Sequence, residues 1–250
     1  MRSRPARAGR SGRVDVAQHS KRYRAVVKDL ERPAPVPVSD ALAKVKETAT
    51  AKFDEAVDIA IKLGIDPRQS TQNVRGTVVL PHGTGRTVKV AVVADGTDAD
   101  AARDAGADEV GAEDLVKKIE EGWMDFDLLC ATPSMMRVLG RLGRKLGPRM
   151  PNAKAGTVGP DIGQIVRELK AGKIQYRSDN RGGVVHSSIG KTSFSVEQLQ
   201  ENFAALMGAI LRAKPEGVKG QYLRKIHLSA TMGPSFAVDT ADAASVAQRA

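Results

Sequence analysis

Two hydrophobic patterns alternate along this chain and predict two kinds of strand. Between residues 53 and 61 the apolar side chains fall at odd positions, namely Phe53, Val57, Ile59 and Ile61. A period of two is typical of an antiparallel strand with one buried face. Residues 88–94, in contrast, are almost continuously apolar, as expected of a strand that is covered on both faces.

Antiparallel strands and helices are predicted near both ends of the chain. Ser39 is a suitable N-cap for a helix over residues 40–50, and a strand over 75–80 follows the strand at 53–61. Beyond Gly172 we expect further strands over 172–178, 184–189 and 221–230. Residues 196–213 carry an apolar stripe with a helical period of about 3.6, formed by Val196, Leu199, Phe203, Leu206, Met207, Ile210 and Leu211.

The middle of the chain alternates short strands with helices. The strand at 88–94 is followed by predicted strands at 109–110 and 127–131. Helices are predicted over 98–105, 113–122 and 161–171, with a further one opened by Thr132-Pro133. Such βαβ repetition indicates a small Rossmann-like, mostly parallel sheet.

These patterns predict a mixed α/β and α+β fold with two domains. We expect a split α+β domain from residues 21–83 and 173–236, with a Rossmann-like α/β domain, 84–172, inserted into it. Two crossing connections favour a hinge. Residues 1–20 are rich in arginine and contain glycine and proline, so they are predicted to be a disordered basic arm, and 237–250 a flexible tail.

Charge is distributed unevenly along the sequence. The 250 residues carry a net charge of +10 and a pI near 9.8, which indicates a polyanionic partner. Residues 87–131 have a net charge of −8, whereas 1–24 carry +7, 132–171 carry +6 and 172–227 carry +5. This segregation favours one basic lobe that faces the polyanion, although any single run is also compatible with a solvated surface.

The sequence lacks the features of a membrane or secreted protein. It has no apolar run of about eighteen residues and no apolar segment behind the N-terminal arginines, so we expect a soluble intracellular protein. An organellar transit peptide is the alternative for the arginine-rich start, but Pro5, Gly9 and Gly12 interrupt an amphipathic helix. Cys130 lies in an apolar run and is predicted to be inert core rather than a reactive thiol.

Motifs for enzymatic chemistry fail at decisive positions. Gly190-Lys191-Thr192 resembles the end of a phosphate-binding loop, but Val185 stands where that loop needs glycine. Gly83-Thr84-Gly85 has Val88 where a dinucleotide site requires its third glycine. The four histidines have no partner at metal-ligand spacing. We therefore expect no enzymatic activity, no nucleotide, no cofactor and no metal.

Several motifs together give the chain a recognisable signature over roughly residues 21–236. They are KFDE (52–55), LPHGTG (80–85), GWMDFDLLCATPSMM (122–136), AKAGTVG (153–159) and TMGPS (231–235). In order and spacing they resemble the bacterial ribosomal protein L-one family. The resemblance implies the two-domain fold described above, with no nucleotide in the inserted domain.

The resemblance also implies a function. Members of the family are structural constituents of the large ribosomal subunit that bind the stalk of 23S rRNA. They take part in release of deacylated tRNA from the exit site, and they repress translation of their own operon mRNA. We therefore expect these three RNAs as partners of a cytoplasmic, ribosome-bound bacterial protein that acts as a monomer within the ribosome.

The family's RNA-contacting residues, carried over by position, predict a binding site at two distant segments. Its main members are Lys52 and Phe53 in the first segment and Thr231, Met232 and Gly233 in the second. A hydroxyl, an apolar side chain and a glycine suit the 2′-hydroxyls, ribose faces and backbone of structured RNA. Further candidates are Arg177, Asp179, His186 and Lys191. With only nine aromatic residues, recognition by shape is favoured over base stacking.

Two departures and two rival functions remain. The segment GPRMPNAK (147–154) is shorter than the family's usual loop, and SDNRGGVVH (178–186) is one residue longer, so we expect differences from the family in the interdomain contacts and in residues 179–183. A nucleotide-dependent enzyme would bind nucleotide at the loop around Gly83. A DNA-binding regulator would prefer B-form duplex over A-form RNA.

Overall fold

Helices and strands follow one another along most of the chain in the computed structural model, which describes residues 20–28 and 34–249. The helices are α1 Lys21–Lys28, α2 Val38–Thr48, α3 Thr97–Asp104, α4 Glu113–Glu121, α5 Met136–Leu139, α6 Gly143–Leu146, α7 Ile162–Lys170, α8 Val196–Arg212 and α9 Thr240–Arg249. The strands are β1 Ala56–Leu63, β2 Arg75–Val79, β3 Val90–Val93, β4 Glu109–Gly111, β5 Leu128–Ala131, β6 Lys173–Arg177, β7 Val184–Lys191, β8 Leu223–Ala230 and β9 Ser235–Val238. Apart from Ser20, the predicted basic arm lies outside the described residues.

A four-stranded antiparallel sheet combines strands from both ends of the chain in the order β7-β1-β8-β9. The predicted alternation of β1 is confirmed, since Val57, Ile59, Ile61 and Leu63 are all buried. Their face packs in one core with α2 and α8. The strand begins at Ala56, three residues after the predicted start at Phe53. The side chains of Asp54 and Glu55, which precede it, bind Ser193 and Met232 on neighbouring loops.

Two helices cover the core face of this sheet. α8 begins with a capping box between Ser195 and Gln198, which satisfies backbone amides at its first turn, and its predicted apolar stripe is largely buried. α2 begins at Val38, before the predicted N-cap Ser39. The reason is a long-range contact, in which the Val38 amide donates a hydrogen bond of 2.8 Å to Asp242.

The chain does not end in the flexible tail that was predicted over 237–250, and this prediction is wrong for residues up to 249. Strand β9 pairs with β8 as far as Val238, and α9 then packs on the sheet's core with Ala243 fully buried. The Asp239 amide donates to the carbonyl of Val36 at 2.9 Å. Small apolar residues at helical spacing in 240–249 let this segment lie close to α8. The sequence analysis did not use this spacing and predicted a flexible tail.

The middle of the chain forms the predicted parallel sheet, in the order β4-β3-β5. Strand β3 is buried along its whole length. One apolar cluster lies on the face covered by α4, α5 and α6, and a second on the face covered by α3 and α7. The helix predicted after Thr132-Pro133 is divided into α5 and α6, because Gly140 and Gly143 weaken a continuous helix.

Two chain segments connect the middle sheet with the rest of the molecule and lie against each other. Strands β2 and β6 pair antiparallel, and both Gly83 and Gly172 adopt positive φ values of 65° and 98°. A Cβ atom on Gly172 would lie 2.4 Å from the Cα of Gly83, so a side chain does not fit there. The described residues form a mixed α/β fold with a four-stranded antiparallel sheet, a three-stranded parallel sheet and, next to this crossing, the two-stranded antiparallel β2–β6 ribbon.

Candidate nucleic-acid interface

The two main segments of the predicted site lie next to each other at one end of the four-stranded sheet. Thr231 follows β8 and pairs with Ala56, the first residue of β1: its amide donates to the Ala56 carbonyl at 3.0 Å. The Thr231 hydroxyl accepts a bond of 3.0 Å from the Ala56 amide. Lys52, Phe53, Thr231 and Met232 are all exposed there, although more than 170 residues separate the two segments in sequence.

Two large apolar side chains are exposed at this end of the sheet. Phe53 is 55% exposed and Met232 is 51% exposed, and within the described part of the chain only Val79 is a further exposed residue of this kind. Single exposed apolar residues are common on surfaces. Two on adjoining loops, beside a basic side chain such as Lys52, are more typical of a surface that is covered by a partner.

A buried carboxylate connects the two loops that carry these side chains. Glu55 is only 1% exposed. Its Oε1 accepts a hydrogen bond of 2.8 Å from the Ala51 amide, and its Oε2 accepts one of 2.8 Å from the Met232 amide. None of the ion pairs in the described residues involves Glu55. Two backbone donors therefore satisfy this acid.

A third loop, residues 192–194, joins the same end of the sheet. The Thr192 amide donates to the Glu55 carbonyl at 2.9 Å, and the Asp54 carboxylate accepts from the Ser193 hydroxyl at 2.9 Å. Desolvation alone raises the pKa of Asp54, but hydrogen bonds from Ser193 and Thr192 and the charge of Lys191 outweigh it and lower that pKa. Lys191 Nζ lies 3.7 Å from Asp54, which keeps this candidate residue beside Phe53.

The second segment is held by short backbone contacts. The Gly233 amide donates to the Ala230 carbonyl at 3.1 Å, and a Cβ atom on Gly233 would meet the Ala230 side chain at 3.3 Å. The Thr231 hydroxyl also donates to the Ala56 carbonyl at 3.3 Å, so it is already engaged within the protein. From the basic helix α1, Arg22 donates to the Met232 carbonyl at 3.5 Å.

The remaining candidates do not join this cluster. Asp179 lies at the opposite end of the sheet, where its amide bonds the carbonyl of Val184 at the start of β7, about 25 Å away along an eight-residue strand. Arg177 lies on β6, where it pairs with Arg75 of β2 outside this sheet. The Asp179 carboxylate accepts from the Gly182 amide at 3.0 Å and closes a turn. His186 lies between the two ends, opposite Ala60, and is exposed.

The solvent-facing side of the sheet is a polar surface that connects these two ends. Its cross-strand rows are Ser188–Asp58–Ser229, His186–Ala60–His227 and Val184–Lys62–Lys225. Burial raises the pKa of Asp58, against the opposing effects of a Ser188 hydrogen bond and the charge of His186. Sequence reasoning missed His227, Lys62 and Lys225, although the even positions of the β1 pattern mark this face.

Glu55 was also missed, and here a signal existed. In the alternation that predicts β1, odd positions face the core, and Glu55 is the one acidic residue at an odd position between residues 53 and 61. An acid on the buried side of a strand must find donors. The sequence does not reveal which donors these are, because Met232 lies 177 residues away.

A separate basic surface lies on the middle part of the molecule. Arg137, Arg141 and Arg144 are exposed, and residues 128–160 contain no acid. Leu139, Leu142 and Leu146 of the same segment are buried, which turns the arginines outward. These three arginines have no ion-pair partner among residues 20–28 and 34–249.

Other kinds of site find little support in the described residues. They contain no group of three or more His, Cys, Asp or Glu side chains able to hold a metal ion. None of their helices has the length and apolar character needed to span a bilayer.

A cleft of about 210 Å³ lies between the β2–β6 ribbon and residues 148–157. Cys130 is fully buried, which raises its pKa to about 12, as its apolar context predicted.

Comparison with known proteins gives the family of the chain. Residues 45–234 match the model of the Ribosomal protein L1p/L10e family. The chain is 55% identical over 228 residues to the large ribosomal subunit protein uL1 of Bordetella pertussis, covering 90% of this chain and 98% of that protein. It is 54% identical over 231 residues to the protein of the same name from Methylobacillus flagellatus, covering 92% of this chain and 100% of that protein. The predicted resemblance is confirmed, and the chain belongs to the Ribosomal protein L1p/L10e family, whose members are structural proteins and not enzymes.

Proposed function

We propose that this chain is a structural constituent of the large ribosomal subunit and binds the stalk region of 23S rRNA at the end of its four-stranded sheet. The observation that carries the proposal is the convergence of three loops, 51–55, 192–194 and 231–233, around buried Glu55, with Phe53 and Met232 left exposed. The relatives' shared name, large ribosomal subunit protein uL1, supports the same assignment.

The chemistry of this surface suits a folded RNA. Phe53 and Met232 offer apolar contacts to ribose or base faces, and Lys52 and Lys191 offer cations to phosphates. The polar rows of the sheet face supply hydroxyl, imidazole and amine groups beside them. Backbone approach is possible at Gly233, which has no side chain to hold the RNA away.

The division of the chain into two domains belongs to this proposal. One buried cluster draws its residues from 38–74 and from 176–243, and the two other clusters draw theirs from 90–169. We infer that the first cluster is the core of a split RNA-binding domain, and that the inserted domain is attached through the crossing at Gly83 and Gly172.

We propose two further RNA partners, exit-site tRNA and the chain's own operon mRNA. The exposed arginines of residues 137–144 give the inserted domain a surface for phosphates, which suits contact with exit-site tRNA. Repression of the chain's own operon mRNA requires only that the message contain a mimic of the stalk, read by the same three loops. A cytoplasmic, ribosome-bound location in a bacterium follows from these partners.

The test is direct measurement of RNA binding. The purified chain is titrated with a stalk fragment of 23S rRNA and with an unrelated duplex RNA of equal length, over a range of salt concentrations. We expect preference for the stalk by a factor of about 10³ or more, with affinity that falls steeply as salt rises. Equal affinity for the two RNAs would remove the proposed function.

A further inference from the structure

We propose that Glu55 is a positioning residue for RNA binding: it sets the relative placement of the Phe53 and Met232 loops without touching the RNA. The inference rests on the proposed function for its biological meaning. Its structural basis, the bridging of two loops by one buried carboxylate, stands on contacts within the described residues.

The first step of the argument is the burial of this acid. Taking a carboxylate out of water is costly unless donors replace the lost hydration. Glu55 is 1% exposed, and no ion pair among the described residues involves it. Its two oxygens each accept one backbone amide. If the residue just before β1 only filled space on the buried side of the sheet, an apolar side chain would suffice.

The second step is that few other hydrogen bonds hold the Phe53 loop. Among the described residues, Ala51 donates the one hydrogen bond that connects the backbone of residues 50–53 with the rest of the protein, and its acceptor is Glu55. On the other loop, the Met232 amide has the same acceptor residue. The Thr231–Ala56 hydrogen bonds join the two segments at the end of the sheet, and the Glu55 carboxylate adds a bridge between the loop amides beside the exposed side chains of Phe53 and Met232.

The third step concerns charge and gives the inference its sharpest test. Removing an acid near a polyanion-binding surface strengthens binding if electrostatics alone decides the outcome. Removing Glu55 also releases one of the two loops, which then loses conformational freedom on binding RNA and weakens the complex. The two effects have opposite signs. A fall in affinity after the loss of this negative charge therefore identifies positioning.

The experiment compares Glu55→Gln and Glu55→Asp with the unchanged protein. Glutamine keeps the shape but has one acceptor oxygen, and aspartate keeps the charge but is too short to reach both amides. We expect each variant to bind the stalk fragment of 23S rRNA roughly tenfold or more weakly, since a buried amide left unpaired corresponds to an effect of this order. The matched control is Glu109→Gln, which removes an exposed acid from the inserted segment.

Amide hydrogen exchange without RNA tests the loop contact independently. We expect faster exchange of at least one of the two loop amides, Ala51 or Met232, in each Glu55 variant, with the centre of the sheet at Ile59 and Leu228 still protected. Unchanged exchange at the two loop amides, or unchanged affinity in both variants, would overturn the inference. Loss of protection across the whole sheet would also overturn it, because Glu55 would then be a general stability residue.

The proposed function and the positioning role of Glu55 can be disproved separately. If the unchanged protein does not prefer the stalk fragment, the proposed function is wrong, whereas local exchange at Ala51 and Met232 still decides whether Glu55 connects the loops. If the unchanged protein binds the stalk and the Glu55 variants bind equally well, the function stands and the positioning role is excluded.

Discussion

At the scale of single residues, a few buried or half-buried polar side chains determine how distant segments meet. Glu55 bonds two loop amides, Asp242 bonds the first amide of α2, and Asn202 bonds a connecting segment. Each exchanges hydration for hydrogen bonds that are satisfied within the protein. In the described residues no buried side-chain nitrogen or oxygen lacks a partner.

Asp58 is a partly buried acid on the solvent-facing side of the four-stranded sheet. Burial raises its pKa above the ordinary value of 3.8, so the folded state binds this proton more strongly than the unfolded state does. Stability contributed by the group is therefore present at low pH and lost as pH rises through the folded pKa. We expect Asp58→Asn to raise the melting temperature at pH 7 and to bring no gain near about pH 3, where both states are protonated.

Thermal unfolding followed by circular dichroism at these two pH values checks this prediction. Asp179→Asn is a suitable control because that acid is exposed at a turn. A melting temperature that falls at pH 7 in the Asp58 variant would contradict it.

Cys130 gives a second test at this scale. Its full burial and a pKa of about 12 keep the thiolate population low and the sulfur out of reach of reagents. We expect almost no reaction with a thiol reagent in native buffer and rapid reaction of one thiol per chain in denaturant. Rapid labelling of the folded protein would show that this part of the core opens readily.

At the scale of elements, the strands could be predicted from the sequence better than the helix ends. The period of two gave the buried face of β1 correctly, and the continuous apolar run gave β3, because side-chain direction in a strand is a local property. The predicted start of α2 was wrong because its first amide, that of Val38, donates a hydrogen bond to Asp242, which is 204 residues away. A partner so distant in the chain cannot be predicted from the residues around α2.

The contact between α9 and α2 predicts a stabilising role for the C-terminal segment. Asp242→Ala leaves the Val38 amide without its 2.8 Å partner, and loss of an N-terminal cap costs about 0.5 to 2 kcal/mol. We expect a lower free energy of unfolding in urea with little change in the slope. Asp95→Ala, which removes an exposed acid away from this contact, is the control and should have the smaller effect.

At the scale of the whole molecule, the crossing of two connections joins the antiparallel and parallel sheets. Asn202, fully buried on α8, donates to the carbonyls of Gly83 and Ile189 at 2.9 and 2.8 Å. It also accepts from the His82 amide at 3.0 Å. One side chain thus fixes the first connection against β7, next to the close approach of Gly83 and Gly172.

Replacing this residue is expected to loosen the crossing. Asn202→Leu leaves three backbone groups without their partner, and each buried unpaired group costs about 1 to 3 kcal/mol. We expect lower stability and faster amide exchange at His82, with exchange within β3 unchanged. Uniform exchange throughout the protein would show instead that Asn202 supports only the global fold.

The sequence proposed members of the candidate site but indicated neither which of them lie together nor the part of Glu55. The family resemblance supplied Phe53 and Met232, and the structure brings their loops together. It leaves Asp179 at the far end of the sheet and Arg177 on the β2–β6 ribbon, which sequence spacing did not reveal. The order of strands in the sheet determines these distances, and that order depends on pairings between the two ends of the chain.

The most direct test of the account is the affinity for the stalk fragment of 23S rRNA after removal of the two exposed apolar side chains. We predict that Phe53→Ala combined with Met232→Ala weakens binding by at least about tenfold. Val79→Ala, which trims the third exposed apolar residue, on β2 rather than on one of the three loops, should leave binding unchanged. Equal affinities for the double variant and the Val79 variant would contradict the assignment of the three-loop end as the RNA-binding surface.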